Sequence, residues 1–150
     1  MTLKTLDEAE TRALGRRLGR LLKGLDVVLL YGDLGSGKTT FTQGLAKGAG
    51  FSGRVVSPTF GLARLYRAKA RLIYHLDLYR VAADDTGDIG IEEFVSDPKA
   101  FCVVEWPEAG RAYYPADRVE IRFKHLKDGR RISLSGRGKR SKDLIRRMKK

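Results

Sequence analysis

Residues Gly32-Asp33-Leu34-Gly35-Ser36-Gly37-Lys38-Thr39 have the types and spacing of a phosphate-holding loop. They match G-x-x-x-x-G-K-[ST] at every fixed position. Three glycines let the backbone turn so that its N–H groups converge on an anion. A helix beginning near Lys38 adds the positive end of its dipole. In a loop of this kind Leu34, Gly35, Ser36 and Gly37 lie along the phosphates. Lys38 reaches the β- and γ-phosphates, and the Thr39 hydroxyl sits on Mg²⁺. The apolar run Val27-Val28-Leu29-Leu30-Tyr31 just before it supplies the strand that a P-loop requires. A glycine-rich turn with no ligand would not need that context.

Phosphoryl chemistry at such a loop also needs a carboxylate near the metal, normally after an apolar strand. Two positions qualify. Asp77 follows Leu72-Ile73-Tyr74-His75-Leu76, and Glu105 follows Phe101-Cys102-Val103-Val104. Local pattern leaves open which one holds Mg²⁺ and which positions or activates water. Ser57-Pro58-Thr59 reads either as a switch segment whose hydroxyls sense a γ-phosphate or as a tight capped loop. Trp106 is the single tryptophan and is equally a nucleotide neighbour, a partner contact or a rim aromatic. His75 reads as structural, and His125 carries no signal. The chain has no asparagine, which excludes a guanine-reading N-K-x-D and leaves ATP by elimination.

The elements that would position these groups follow from periodicity. Residues 7–23 read as an amphipathic helix, N-capped by Asp7 with Glu10 as capping-box partner. Its apolar face is Leu14, Leu18, Leu21, Leu22 and Leu25. Strands are expected over 26–31, 54–57, 71–77 and 100–105, with a less regular strand within 61–70. Short helices are expected after the loop and around Ile91 to Val95. Arg118 to Lys124 and Arg131 to Ser135 alternate about Asp128-Gly129 and read as a β-hairpin. The pattern is that of a three-layer α/β domain, with a mostly parallel sheet and a C-terminal antiparallel hairpin extending one edge. Ligands of such sheets sit beyond the carboxyl ends of the strands, where the loop, Ser57–Phe60, Asp77 and Glu105 would meet.

Composition bounds the rest. The chain has 150 residues and 42% hydrophobic content, with no apolar run long enough to span a membrane, so one domain is expected. No secretory leader is visible, and the single cysteine, Cys102, lies in an apolar run. A cytoplasmic, membrane-free protein is the expectation. The net charge is +12, of which the segment 137–150 carries +7. The domain is therefore expected over 1–136. Residues 137–150 form a basic tail, either a solvated terminus or an arm that touches RNA phosphates.

Four separated motifs occur in order: G-D-L-G-S-G-K-T-T (32–40), S-P-T-F (57–60), Y-H-L-D-L-Y-R (74–80) and V-E-W-P (104–107). Together they resemble the TsaE (YjeE) family over residues 6 to 135. The resemblance implies a P-loop ATPase, weak alone, that uses ATP and Mg²⁺. It would act with a threonylcarbamoyl transferase and that enzyme's paralogous partner subunit on the adenosine beside the tRNA anticodon. It implies that Thr39 and Glu105 hold the metal and that Lys38, Asp77, Thr40 and Trp106 serve catalysis. It also implies nucleotide contacts from Glu8 and Arg130, with Arg131 the competitor for the latter. Any arginine finger would come from Arg80 or from a partner. The segment 82–89 departs from the family pattern, with glycine where a helix is usual. Two other functions fit the P-loop alone. A small-molecule kinase would phosphorylate an acceptor, and a nucleotide-gated RNA-binding module would change RNA affinity on Lys38→Ala.

Overall fold

A computed structural model describes residues 1–58 and 62–150. Seven strands form one sheet: β1 (Thr2–Thr5), β2 (Val27–Tyr31), β3 (Ala63–Arg67), β4 (Leu72–Asp77), β5 (Ala100–Glu105), β6 (Val119–Leu126) and β7 (Gly129–Gly136). Their order is β1-β7-β6-β2-β5-β4-β3. The inner strands β6, β2, β5 and β4 are parallel; β7 and β3 add antiparallel on either side of them, and β1 pairs antiparallel with β7. The helices are α1 (Glu8–Gly19), α2 (Lys38–Gly48), α3 (Ile91–Val95) and α4 (Lys139–Arg147).

Burial explains the sequence of the inner strands. β2 and β5 are covered on both faces and are continuously apolar up to their last residue. Val28, Leu30, Phe101 and Val103 pack under α1, α2 and α4, and Val27, Leu29, Cys102 and Val104 pack on the α3 side. Cys102 is buried, and burial pushes its thiol up, away from reactivity. β6 is apolar on one face only: Val119, Ile121 and Phe123 are buried in the core, while the other face carries Glu120, covered by arginines, and exposed Arg122 and Lys124.

α1 and α2 cross with their backbones nearly in contact. A Cβ added to Gly15 would lie 2.2 Å from the Phe41 carbonyl oxygen, and one on Gly44 would lie 2.0 Å from that of Arg12. Gly19 and Gly48, one turn further on, meet the opposite helix in the same way. Close crossing seats Leu14 and Leu18 of α1 against Phe41 and Leu45 of α2 over the sheet. Asp7 caps α1 by accepting from the Glu10 amide at 2.8 Å, and the Glu10 carboxylate takes the Leu6 amide at 2.7 Å.

Several expectations are corrected. α1 stops at Gly19, and Leu25, placed on its apolar face, is exposed at a positive φ. Residues 54–57 join no strand. The C-terminal hairpin extends the sheet on the β2 side as expected, and β1, which the sequence did not suggest, pairs beyond β7 as the outermost strand. The segment 82–89, where the sequence departs from the family pattern, forms a 3₁₀ turn over Ala83–Ile89. Residues 137–150 are not a free tail. Leu144 and Ile145 of α4 and Met148 at its C-terminal cap are buried in the core. The Asp117 carboxylate accepts from the Arg140 and Ser141 amides at 2.9 and 3.0 Å, closing the N-terminus of α4. Arg140 forms a two-pronged ion pair with Asp26 at 2.9 and 2.8 Å. Among the described residues no helix is long and apolar enough to cross a membrane.

Candidate functional site

The site lies beyond the carboxyl ends of β2, β4 and β5, where strand register sets its geometry. Leu30 of β2 and Asp77 of β4 both pair with Glu105 of β5. The two carboxylates therefore end adjacent strands beside the loop that follows β2. They border a cavity of about 340 Å³. Leu34, Gly35, Ser36 and Gly37 of the loop line one wall, and Lys38, Thr39 and Thr40 of the first α2 turn line the next. Ser57, Asp77, Glu105 and Trp106 close the far side, and Glu8 and Arg130 complete the rim. Every site residue expected from the sequence thus faces one cavity. Of the other S-P-T-F positions, Thr59 and Phe60 lie outside the described residues.

Gly37 precedes α2 at φ +104°, a left-handed conformation that a Cβ would strain, and a Cβ there would also meet Arg130 Nε at 2.9 Å. No side chain caps α2, so its first-turn N–H groups are available to an anion. Lys38 is only 5% exposed and folds back on the loop. Its ammonium donates to the carbonyls of Gly32 at 2.5 Å and Asp33 at 2.9 Å, and lies 4.1 Å from the Trp106 ring centre. Burial pulls the Lys38 pKa below the usual lysine value, and the nearby Glu105 and Asp77 oppose that pull. Arg130 Nε is buried without a hydrogen-bond partner among the described residues. Arg131, its competitor in the sequence, is exposed and does not line the cavity, and neither does Arg80.

Glu105 is 2% exposed, an unusual burial for a carboxylate. The Thr39 hydroxyl lies 3.2 Å from each of its oxygens. A hydroxyl and a carboxylate opposed at a phosphate loop suit Mg²⁺, which takes few protein ligands and keeps oxygens from water and phosphate. Among the described residues no group of three or more His, Cys, Asp or Glu could hold a metal, so a dense all-protein cage is not the arrangement here. The orphaned Arg130 donor and the uncapped start of α2 fit a polyanion beside that metal. Asp77 is held by different partners: its Oδ2 accepts from the Ser57 hydroxyl at 2.7 Å and its Oδ1 from the Tyr79 amide at 3.0 Å. Trp106 follows Glu105 at φ +55°, and this left-handed step turns its ring over Lys38 and against Tyr79, centres 4.7 Å apart.

The chain matches the family described as "Threonylcarbamoyl adenosine biosynthesis protein TsaE" over residues 5–132. It belongs to the TsaE family. It is 37% identical over 128 residues to the tRNA threonylcarbamoyladenosine biosynthesis protein TsaE of Bacillus subtilis, covering 85% of this chain and 80% of that protein. It is 42% identical over 123 residues to the Treponema pallidum protein of the same name, covering 81% and 90%. The crystal structure of Bacillus subtilis YdiB superposes with a TM-score of 0.86 at 31% identity, covering 99% of this chain and 93% of that one. The TsaE match ends in β7, whereas the YdiB likeness extends over nearly the whole chain.

Three neighbours of these groups carry no motif that marks them: His75, which reads as structural in the sequence, and Tyr66 and Tyr79. For His75 the signal is strand parity, since Ile73, His75 and Asp77 alternate onto one face of β4, the face that Val103 and Glu105 share on β5.

Proposed function

We propose that this TsaE-family chain binds ATP with Mg²⁺ and hydrolyses it in tRNA threonylcarbamoyladenosine biosynthesis. Its partners would be the threonylcarbamoyl transferase and the transferase's paralogous partner subunit. The observation that carries the reading is the Thr39 hydroxyl opposed to the buried Glu105 carboxylate within the phosphate loop. Thr39 and Glu105 hold the metal, whose charge offsets that of the β- and γ-phosphates. The amides of residues 34 to 39 hold the phosphates, and Lys38 exchanges its bonds to Gly32 and Asp33 for phosphate oxygens. Asp77 orients the attacking water and takes its proton. Thr40 and Trp106 shape the phosphate end of the cavity, and Glu8 and Arg130 contact the nucleotide from its rim.

The test is phosphate release from ATP, with and without the purified transferase pair, against a Lys38→Ala background. Slow turnover alone, stimulation by the pair and loss in Lys38→Ala are the expected results. Phosphate appearing on a small-molecule acceptor instead of free would replace this reading with a kinase. The tRNA is reached through the complex, with direct contact from exposed Lys142, Arg146 and Lys149 of the α4 region. α4 belongs to the core, so deletion is the wrong probe. Reversing those three charges tests the contact, and an unchanged, salt-insensitive affinity of the complex for tRNA refutes it.

A further inference from the structure

His75 is fully buried, and both of its ring nitrogens are engaged. Nε2 lies 3.0 Å from Glu105 Oε1. Nδ1 lies 3.2 Å from the Tyr66 hydroxyl, whose oxygen is also 3.1 Å from the Val56 carbonyl. An ionised carboxylate only accepts, so Nε2 is the donor toward Glu105. A neutral ring then offers Nδ1 as acceptor to the Tyr66 proton, for which the Val56 carbonyl is the competing acceptor. Glu105 Oε1 is thereby held by His75, while Oε2 meets only Thr39 among the described residues. Val56 immediately precedes Ser57, whose hydroxyl holds Asp77.

We propose that His75 is a positioning residue of the metal–phosphate site. It fixes the Glu105 carboxylate in its orientation toward Thr39, and the Tyr66 hydroxyl in turn holds the His75 ring. The single Tyr66 proton is shared between His75 Nδ1 and the Val56 carbonyl, so the hydrogen-bonded chain that holds Glu105 runs through His75 and ends at Tyr66. Partners that hold a metal's carboxylate ligand set its orientation, and losing one typically weakens metal affinity about 10–100-fold. The inference rests on the reading of the site as one for Mg²⁺ and nucleotide.

The experiment measures binding of a non-hydrolysable ATP analogue to the full chain in EDTA and across a Mg²⁺ titration. In His75→Leu the Mg²⁺ midpoint is expected to rise about 10–100-fold, while affinity in EDTA stays unchanged. His75→Gln, whose amide can still donate to Glu105, restores most of the wild-type midpoint. Tyr66→Phe, which keeps the ring and loses the hydroxyl, gives an intermediate shift. A merely structural histidine would lower affinity in EDTA and Mg²⁺ alike, and that result overturns the proposal, as does an unshifted midpoint in His75→Leu. If His75→Leu does not fold, Tyr66→Phe decides, and an unshifted midpoint there overturns it. Wild-type binding that ignores Mg²⁺ would overturn the metal reading itself, and the proposal with it.

Discussion

Asp77→Asn is the most informative single change at the site because it removes charge while keeping geometry. In the native structure Oδ1 accepts from the Tyr79 amide at 3.0 Å and Oδ2 from the Ser57 hydroxyl at 2.7 Å. An asparagine oxygen can keep the Tyr79 bond, and its NH₂ can donate to the Ser57 oxygen instead of accepting from it. Two charge-assisted bonds become neutral ones, a loss of about 1 kcal/mol. The like charge of Glu105, paired with Asp77 across the β4–β5 register, is relieved at the same time. The net change in stability is therefore about 1 kcal/mol or less, and nucleotide affinity should hold. Turnover is another matter. If Asp77 orients water and takes its proton, losing the carboxylate costs at least ~10²-fold in rate, or about 2.7 kcal/mol of barrier.

The assay is single-turnover phosphate release at saturating ATP and Mg²⁺, beside analogue binding and a urea unfolding curve for the same variant. Turnover within about threefold of wild type would remove Asp77 from catalysis. A fall in affinity as large as the fall in rate would make it a binding residue instead. Asp77→Ala is the poorer probe, because it strands the Ser57 hydroxyl and the Tyr79 amide and so loosens the ring that packs on Trp106.

Gly44→Ala places a Cβ 2.0 Å from the Arg12 carbonyl oxygen, so α1 and α2 must part by more than an ångström. Overpacking of about 1–3 kcal/mol outweighs the ~1 kcal/mol that alanine gains in helix propensity, and a lower urea midpoint with unchanged slope is expected. Glu120→Gln tests a buried charge. Burial pushes the Glu120 carboxyl up, but Arg137 and Arg118 outweigh it and hold its pKa below the ordinary value of 4.5. Its contribution is present above that value and lost as pH falls below it, so the stability gap of about 1 kcal/mol between wild type and Glu120→Gln should close in acid. Leu144→Ala should cost about 2–4 kcal/mol in thermal or urea unfolding, whereas a dangling tail would give no change.

Elements with a strong period or a long apolar run could be read directly. β2, β5 and the β6–β7 hairpin lie where apolar runs and alternation put them, and the three strand-end groups followed from β2, β4 and β5. What the sequence did not show depends on partners distant in the chain. β1 has four residues, too few for a period, and exists because β7 offers it an edge. Val55 and Val56 suggested a strand, but no neighbouring strand pairs with them. α4 and its C-terminal cap present only Leu144, Ile145 and Met148 amid basic residues, so charge masked the apolar stripe. The spacing Gly15–Gly19 and Gly44–Gly48 was visible, yet only the crossing of α1 and α2 gives it meaning.

The choice between Asp77 and Glu105, which local pattern left open, has a physical basis in what surrounds each. They end neighbouring strands on one face of the sheet, where two equivalent carboxylates would repel and do the same work. Their environments separate them. Glu105 is buried, turned toward α2 and surrounded by donors from Thr39, His75 and Thr42 at 3.0–3.5 Å. A carboxylate held this firmly beside a phosphate loop suits a cation whose ligands must be placed in advance. Asp77, at the end of β4, is half-buried and held by the Ser57 hydroxyl and one exposed amide. A carboxylate with water at hand and a displaceable hydroxyl partner suits proton transfer. Lys38 lies within the field of both, so its charge steadies the pair, and under the proposed function the same charge would turn to the phosphates.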